Sequence, residues 1–236
     1  MTFIFNKEQH YYELDGKRMY GVTTVLGVIG KPMLIQWAAN EAVKYVGSEW
    51  KPDITYSTEA IELILKAAKT AHRKKRDKAA DVGTLVHGYI EKWIKDGCPD
   101  APEPLQDAPG RTMFNHFREW AEKNRISFLA SEKQVYSQKF WTAGTMDALI
   151  AKGDKKYILD VKTTSGIYDR TPFLQCAGYA MMLAESEGIE VDGYCIVRLG
   201  KDGSFEELWS YDVEGDKKGF LAALELFKQM ETFKIK

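Results

Sequence analysis

The sequence has 236 residues, 44% hydrophobic and 28% charged, and its 33 basic and 34 acidic side chains leave a formal net charge of −1 at pH 7. This composition is ordinary for a soluble globular protein with one core, and the charge balance argues against a uniformly basic nucleic-acid binder. No apolar run approaches the roughly 20 residues needed to span a membrane, and residues 1–6 lack the basic start and long apolar stretch of a signal peptide. The three cysteines are widely spaced and odd in number, so we expect reduced thiols in a cytoplasmic protein.

The first part of the chain predicts a strand hairpin followed by helices. Alternating apolar residues predict short strands over residues 2–5, 10–14 and 17–21. Asp15-Gly16, between the last two strands, is a hairpin turn signal. Periodic apolar residues then predict helices over residues 32–46, 58–80 and 82–95. We expect residues 1–80 to elaborate a single domain whose core occupies residues 81–236.

The second of these helices ends in a strongly basic segment, residues 66–78, called the basic ridge below. It contains a single acidic residue, Asp77, among seven basic ones: Lys66, Lys69, Arg73, Lys74, Lys75, Arg76 and Lys78. One interpretation is a solvated helix face, which is the usual place of a charge run. The other is a phosphate-contacting surface, because Lys and Arg neutralise backbone charge without reading sequence. We favour the second interpretation, with Arg73, Lys74 and Arg76 as candidate DNA contacts.

The second part of the chain predicts alternating strands and helices. A loop is predicted over residues 97–109, which hold four prolines, and a helix over residues 112–123. Strands are predicted over residues 127–139, 143–151, 156–162, 191–198 and 204–211, and a closing helix over residues 216–233. Thr171-Pro172 and Gly188 bound one more helix as its N-terminal cap pair and its C-terminal stop. The pattern predicts an α/β fold with a central mixed β-sheet of about five strands, flanked by helices, with an N-terminal hairpin and a helical elaboration.

Two carboxylates are predicted to face each other in one hairpin. Gly153-Asp154 is a turn signal between two of the predicted strands, and this turn places Asp147 opposite Asp160. Lys162, two residues further, lies on the same sheet face. Opposed like charges destabilise a sheet, but two carboxylates beside a lysine suit a hard cation such as Mg²⁺. The alternative is a salt-bridged triad on a solvated strand face.

His87 is a candidate metal ligand on a predicted helix. It projects about 120° from the centre of the apolar stripe of that helix, at 3.6 residues per turn. A lone helical histidine is more often structural, although neutral imidazole is a common metal ligand. Glu91, one turn later, is placed to orient the ring.

Four motifs follow one another along the chain: His87, then Gly144-Thr145-Met146-Asp147, then Asp160-Val161-Lys162, then Gln175 with Tyr179 four residues later. Their order and spacing resemble the RecB-type branch of the PD-(D/E)XK nuclease superfamily, over roughly residues 80–180. The flanking segments are similar, more loosely, to phage and prophage exonucleases of that superfamily. The resemblance implies a restriction-endonuclease-like core. Some members of this branch hold an iron–sulfur cluster on four cysteines, and three cysteines cannot supply that ligand set.

The resemblance also implies roles for individual residues. It implies that one or two Mg²⁺ or Mn²⁺ ions are held by His87, Asp147, Asp160 and the backbone carbonyl of Val161. It implies that Asp147, Asp160 and Lys162 form the catalytic set, with the lysine beside the attacking water and the phosphate. It implies DNA contacts from Gln175, Tyr179, Thr163 and Thr164. Other branches of the superfamily place a carboxylate at this position, and a histidine favours borderline metals such as Mn²⁺ more than Mg²⁺.

The resulting expectation is a metal-dependent DNA exonuclease of a bacterial or phage-infected cell, acting on single- or double-stranded ends in recombination, repair or end processing. A single-strand annealing or recombination protein is the expected partner, and no membrane is expected. The alternatives are a catalytically inactive DNA-binding module on the same fold and a structure-selective endonuclease. A metal phosphoesterase for a small substrate is weaker, because the basic ridge is excessive for it.

Overall fold

The computed structural model describes residues 1–100 and 108–232 of the chain. The chain divides into two compact units, one formed by Met1–Ile29 with Leu85–Lys236 and the other by Gly30–Thr84. The larger unit contains the sheet and every predicted metal ligand. The smaller unit contains the basic ridge.

The larger unit is built on an eight-stranded mixed sheet. Its strands are β1 (Phe3–Asn6), β2 (Tyr11–Leu14), β3 (Lys17–Gly21), β4 (Ser127–Ser137), β5 (Thr142–Lys152), β6 (Lys155–Lys162), β7 (Gly193–Leu199) and β8 (Phe205–Ser210). The order is β1-β2-β3-β5-β6-β7-β8, with β4 paired to β5. The pairs β3–β5 and β6–β7 are parallel, and the other pairs are antiparallel. The predicted fold class is therefore confirmed, with β4 to β8 as the five core strands and the N-terminal strands joined to the same sheet.

Strand β5 carries three neighbours on its two edges. β4 pairs with it along one edge, from Ser127↔Ala151 to Ser137↔Thr142. On the opposite edge, β3 pairs with its first residues, as far as Ala143, and β6 pairs with its last residues, from Ala148 onwards. The open interval between these two ladders, residues 144–147, contains two of the motif residues and lies at the candidate site.

The helices are α1 (Val22–Val25), α2 (Pro32–Glu49), α3 (Thr58–Lys95), α4 (Ala108–Lys123), α5 (Thr171–Glu187) and α6 (Val213–Thr232). α3 is continuous where two helices were predicted, because residues 79–82 contain neither glycine nor proline to end it. Residues 101–107 of the predicted loop and residue 233 of the predicted closing helix lie outside the described residues. Within residues 1–100 and 108–232 no single helix is long and apolar enough to cross a membrane, and one bent pair, Val22–Val28 with Pro32–Glu49, meets the criteria by length and composition only.

One hydrophobic core cluster of the larger unit lies between the sheet and α5. This helix is buried along most of its length and packs against β4, α6 and the short α1 segment. Gly178 allows a close approach there, because a Cβ atom at this position would lie 2.9 Å from the ring of Phe220. α5 begins at Thr171-Pro172 and ends before Gly188, which has φ 66°. Packing against the sheet fixes the face of α5 that carries Gln175 and Tyr179.

The smaller unit contains α2 and the first part of α3. Within it, Lys75 Nζ lies 2.9 Å from Glu41 Oε1, and the rings of Trp37 and His72 meet edge to face with centroids 6.2 Å apart. In the basic ridge Arg73 and Lys74 are exposed, and Arg76 forms an exposed ion pair with its neighbour Asp77 at 2.8 Å.

Candidate active site

The predicted hairpin sets the register of the site. β5 ends at Lys152 and β6 begins at Lys155, so Gly153 and Asp154 form the turn. The ladder runs to Ala148↔Leu159, and the next positions along it are Asp147 and Asp160, as the turn predicts. The Asp147 carboxylate accepts a 2.7 Å hydrogen bond at Oδ2 from the backbone N–H of Val161. This bond ties the two strands together in the open interval of β5.

Asp160 is buried, at 2% exposure, and bonded to two of the predicted site residues. Its Oδ1 accepts hydrogen bonds from Lys162 Nζ at 2.9 Å and from Gln175 Nε2 at 3.0 Å. Its Oδ2 lies 2.8 Å from the same Lys162 Nζ, but the geometry is not that of a hydrogen bond, and no other described residue supplies one. Asp160 therefore has one buried oxygen whose only contact of this kind among the described residues is the ion pair with Lys162, and a buried polar atom without a hydrogen bond calls for an explanation.

Gln175 connects the sheet residues to α5. Its Oε1 accepts from Lys162 Nζ at 3.1 Å, and its Nε2 donates to the Tyr179 hydroxyl at 3.0 Å as well as to Asp160. The spacing of four residues places Gln175 and Tyr179 on one helix face, as predicted. The result is a continuous polar chain from the carboxylate through the lysine and the amide to a buried phenol.

Gly144 allows Tyr179 to occupy this position. A Cβ atom on Gly144 would lie 2.4 Å from Tyr179 Cε1, which is closer than any real side chain tolerates. The glycine of the G-x-x-D motif is therefore explained by packing, since the ring lies directly over its backbone.

His87 and Glu132 complete the site around Asp147. His87 Nδ1 lies 3.6 Å from Asp147 Oδ2, and its side chain is 29% exposed. One ligand atom from each of His87, Glu132 and Asp147 lies within 4.8 Å of the others, so these three residues could hold a metal ion. Glu91 does not orient the ring as expected, because it pairs with Lys95 one turn further along α3.

Glu132 is a residue for which the sequence allows two interpretations, an extra acidic ligand or, as the favoured one, a charged residue on a strand surface. In β4 it lies between the pairs Ser131↔Ala148 and Lys133↔Met146, opposite Asp147. A register shift between Phe128 and Ala130 interrupts the β4–β5 ladder, and the four residues 138–141 that join these strands carry no short turn signal. The only available signal was a lone acidic residue upstream of Asp147.

The electrostatics of the site favour a cation. Burial, reinforced by Asp147, raises the pKa of Asp160 to about 6 in spite of the opposing effect of Lys162. Burial, followed by the charges of Asp147 and Glu91, raises the pKa of Glu132 to about 7. For Lys162 burial lowers the pKa, but the nearby carboxylates of Asp160 and Asp147 outweigh it and the net pKa is raised. Burial and neighbouring carboxylates thus raise the pKa values of both acids towards neutral pH, and Lys162 remains charged.

The remaining predicted site residues have contacts that do not by themselves define a role. The Val161 N–H is engaged by Asp147, while the metal-binding role of its carbonyl stays a prediction. The Thr164 hydroxyl donates to the Gly166 carbonyl at 3.1 Å, and its role as a DNA contact stays a prediction. Thr163 is half-buried beside Lys162, and its role stays a prediction, as does that of the basic ridge.

No protein-family profile matches this chain, and no curated protein does. Solved structures with some similarity include a candidate exonuclease from Eubacterium rectale, with 14% identity, a TM-score of 0.43, and coverage of 61% of this chain and 64% of that one. Another is an alkaline exonuclease, LHK-Exo, from Laribacter hongkongensis, with 12% identity, a TM-score of 0.30, and coverage of 66% of this chain and 89% of that one. The chain thus spans less than two thirds of the first of these structures. Because identity and overlap are this low, function is inferred from the geometry of the site.

Proposed function

We propose that this protein is a divalent-metal-dependent DNA exonuclease of the PD-(D/E)XK superfamily, RecB-type, acting in phage-type recombination or DNA end processing. The observation that carries the proposal is the convergence of four sequence motifs on one site. His87, Asp147, Asp160 and Lys162 lie within one network with Gln175, although they come from a helix, two strands and a second helix. Any one motif is weak, but their assembly in space is a specific arrangement.

The residues present fit a hard or borderline cation. Asp160 offers a buried carboxylate oxygen without a hydrogen bond, and Asp147 and His87 lie beside it. These three residues, with the Val161 carbonyl, would hold one or two Mg²⁺ or Mn²⁺ ions. Such an ion, when bound, polarises the scissile phosphate and lowers the pKa of a bound water.

The protein side chains supply the rest of the chemistry. Lys162 is held by Asp160 and Gln175, so its ammonium has a fixed position beside the carboxylate pair. From there it orients the attacking water and offsets the negative charge that develops on the phosphate in the transition state. Gln175 fixes the lysine and Tyr179 supports Gln175, so α5 positions the catalytic group. Phosphate contacts from the basic ridge would hold the substrate without reading its sequence.

A catalytically inactive DNA-binding module is the first alternative. A protein that had lost catalysis would gain stability by replacing one of the opposed carboxylates, since like charges across strands destabilise. The retained Asp147, Asp160 and Lys162 set favours the enzyme. A structure-selective endonuclease has the same chemistry and differs only in its need for a DNA end. For the exonuclease, we propose a single-strand annealing or recombination protein as the partner.

One gel assay tests the proposal. End-labelled linear DNA and covalently closed circles, each single- and double-stranded, are incubated with Mg²⁺, Mn²⁺ or EDTA. We expect degradation of linear DNA with either metal and none with EDTA, and the Asp160→Asn protein is the inactive control. Cleavage of closed circles as fast as linear DNA would replace the exonuclease with an endonuclease, and the absence of metal-dependent cleavage would overturn the nuclease.

A further inference from the structure

Glu132 has an unusual backbone conformation for its place in the fold. Its φ is 47°, in the left-handed region that costs free energy for any residue other than glycine. Five other non-glycine residues in the described ranges have positive φ: His10, Asp15, Cys98, Arg125 and Trp141. All five lie in turns or at the ends of elements, whereas Glu132 lies inside β4. Its conformation is therefore held by the surrounding sheet and calls for an explanation beyond a turn.

Glu132 lies beside Asp147 and His87 as a third potential metal ligand. Glu132 lies opposite Asp147 and presents its carboxylate where one oxygen comes within 4.8 Å of ligand atoms of both Asp147 and His87. Like-charged residues so placed repel each other, and Glu132 forms no salt bridge within the described ranges that would offset this. Lys95, one of the two lysines whose charge acts on Glu132, is paired with Glu91. The charges of Lys95 and Lys7 offset the repulsion only in part, and a purely structural role gives no account of the left-handed backbone or of this carboxylate pair.

A second observation points to a ligand at this place. On the other side of Asp147, the buried Asp160 has an oxygen without a hydrogen-bond partner among the described residues. Its other oxygen accepts hydrogen bonds from Lys162 and Gln175, whereas this oxygen has only the ion-pair contact with Lys162 Nζ at 2.8 Å. Glu132 instead lies within ligand distance of His87. Potential metal-ligand atoms therefore flank Asp147 on both sides, from Asp160 on one side and from Glu132 and His87 on the other.

We infer that Glu132 is a direct metal ligand, which binds the divalent ion together with His87 and Asp147. The inference rests on the proposed function for the identity of the ion as Mg²⁺ or Mn²⁺. It adds to that function a carboxylate from β4, a strand that carries none of the four motifs. Between the two proposed ions, a nitrogen ligand beside carboxylate oxygens favours Mn²⁺ over Mg²⁺.

Binding of Mn²⁺ alone, without DNA, tests the inference. Isothermal titration calorimetry at pH 7.5 compares the wild type with Glu132→Gln and with the matched control Glu91→Gln, whose carboxylate is engaged by Lys95. We expect Glu132→Gln to weaken Mn²⁺ binding at least about tenfold, as loss of a ligand should, and the control to stay within about threefold. The same variant should melt no lower than the wild type without metal, because a like-charge contact is removed.

A second variant guards against misfolding. Asparagine tolerates the left-handed conformation better than most residues, so Glu132→Asn keeps the backbone but is too short to reach the ion. Wild-type Mn²⁺ affinity in either folded variant, or no Mn²⁺ binding by the wild-type protein, overturns the inference. DNA cleavage is scored separately. An inactive protein whose Mn²⁺ binding depends on Glu132 would contradict the proposed function alone, and an active protein indifferent to Glu132 would contradict the inference alone.

Discussion

The substitution Asp147→Asn separates a metal ligand from a structural carboxylate. Asp147 accepts a hydrogen bond from the Val161 N–H at 2.7 Å, contacts His87 Nδ1 at 3.6 Å, and lies opposite both Glu132 and Asp160. Asparagine has nearly the same shape and can still accept the backbone hydrogen bond through Oδ1. The change therefore removes one negative charge at the centre of the site and little else.

The effect on the metal-free protein is a small difference between opposing contributions. A hydrogen bond to a charged group contributes about 1.5–3 kcal/mol and a neutral one about 0.5–1.5 kcal/mol, so the Val161 bond weakens by about 1 kcal/mol. Removing the charge of Asp147 also relieves its repulsion with each opposed carboxylate, which stabilises the folded state by about 0.2–1 kcal/mol per carboxylate. Since two carboxylates oppose Asp147, the net change is within about 1 kcal/mol. That corresponds to a Tm shift of no more than about 2–4 °C in a protein of this size.

The effect on the metal-bound protein is much larger. An ion that binds only the folded state at one hundred times its Kd stabilises it by about 2.7 kcal/mol. At about 2–4 °C per kcal/mol, Mn²⁺ should raise the Tm of the wild-type protein by about 5–11 °C. Without the carboxylate that lies between the ligands, Asp147→Asn should lose most of this increase.

Differential scanning fluorimetry with EDTA and with a Mn²⁺ series measures both effects. Asp154→Asn is the control, because it makes the same change at the exposed turn of the same hairpin and should keep the full response to Mn²⁺. A variant that melts more than 10 °C lower in EDTA and still responds fully to Mn²⁺ would refute the reasoning, since Asp147 would then be structural and the metal site misplaced.

Four further outcomes follow from the same geometry. Lys162→Ala should abolish turnover in the gel assay while DNA affinity by fluorescence anisotropy stays within about a few-fold, because the lysine acts on the transition state. Gly144→Ala should displace the ring of Tyr179 and lower the free energy of unfolding by about 1–3 kcal/mol in urea titrations, together with a loss of cleavage. Replacement of Arg73, Lys74 and Arg76 by alanine should weaken DNA binding and reduce the slope of log affinity against log salt concentration. An unchanged slope would indicate that the basic ridge is only a solvated helix face. Without metal, urea titrations should show stability falling as pH rises from about 5 to 8, because the raised pKa values of Asp160 and Glu132 mean that the folded state binds their protons more tightly than the unfolded state does.

The parts of the site that could be predicted from sequence are those fixed by local chemistry. Gly153-Asp154 specifies a two-residue turn, and a turn of known length fixes the opposed positions of its strands, so the Asp147–Asp160 juxtaposition follows from the turn alone. The helix that carries Gln175 is equally local, because Pro172 begins it and Gly188 ends it. The spacing of four residues then places Tyr179 beside Gln175.

The parts that could not be predicted depend on contacts between distant segments. Glu132 reaches Asp147 through a ladder interrupted by a register shift and through a left-handed residue inside a strand. Neither feature has a local sequence signal. The close packing of Tyr179 over Gly144 is also tertiary, and only the empty Cβ position explains why a glycine stands there.

The carboxylate charges that would attract a metal ion to the site are the same charges that repel one another in the metal-free protein. With His87 neutral, the ionised carboxylates of Glu132, Asp147 and Asp160 and the ammonium of Lys162 leave a local charge near that needed to balance one divalent cation. Near neutral pH without metal, the raised pKa values of Glu132 and Asp160 allow protons to supply part of that charge. Protons and the ion therefore compete for the same oxygens, since metal ligands must be deprotonated. In the proposed metal site, ionisation of every carboxylate would therefore be both the condition that most destabilises the metal-free protein and the condition that most favours ion binding.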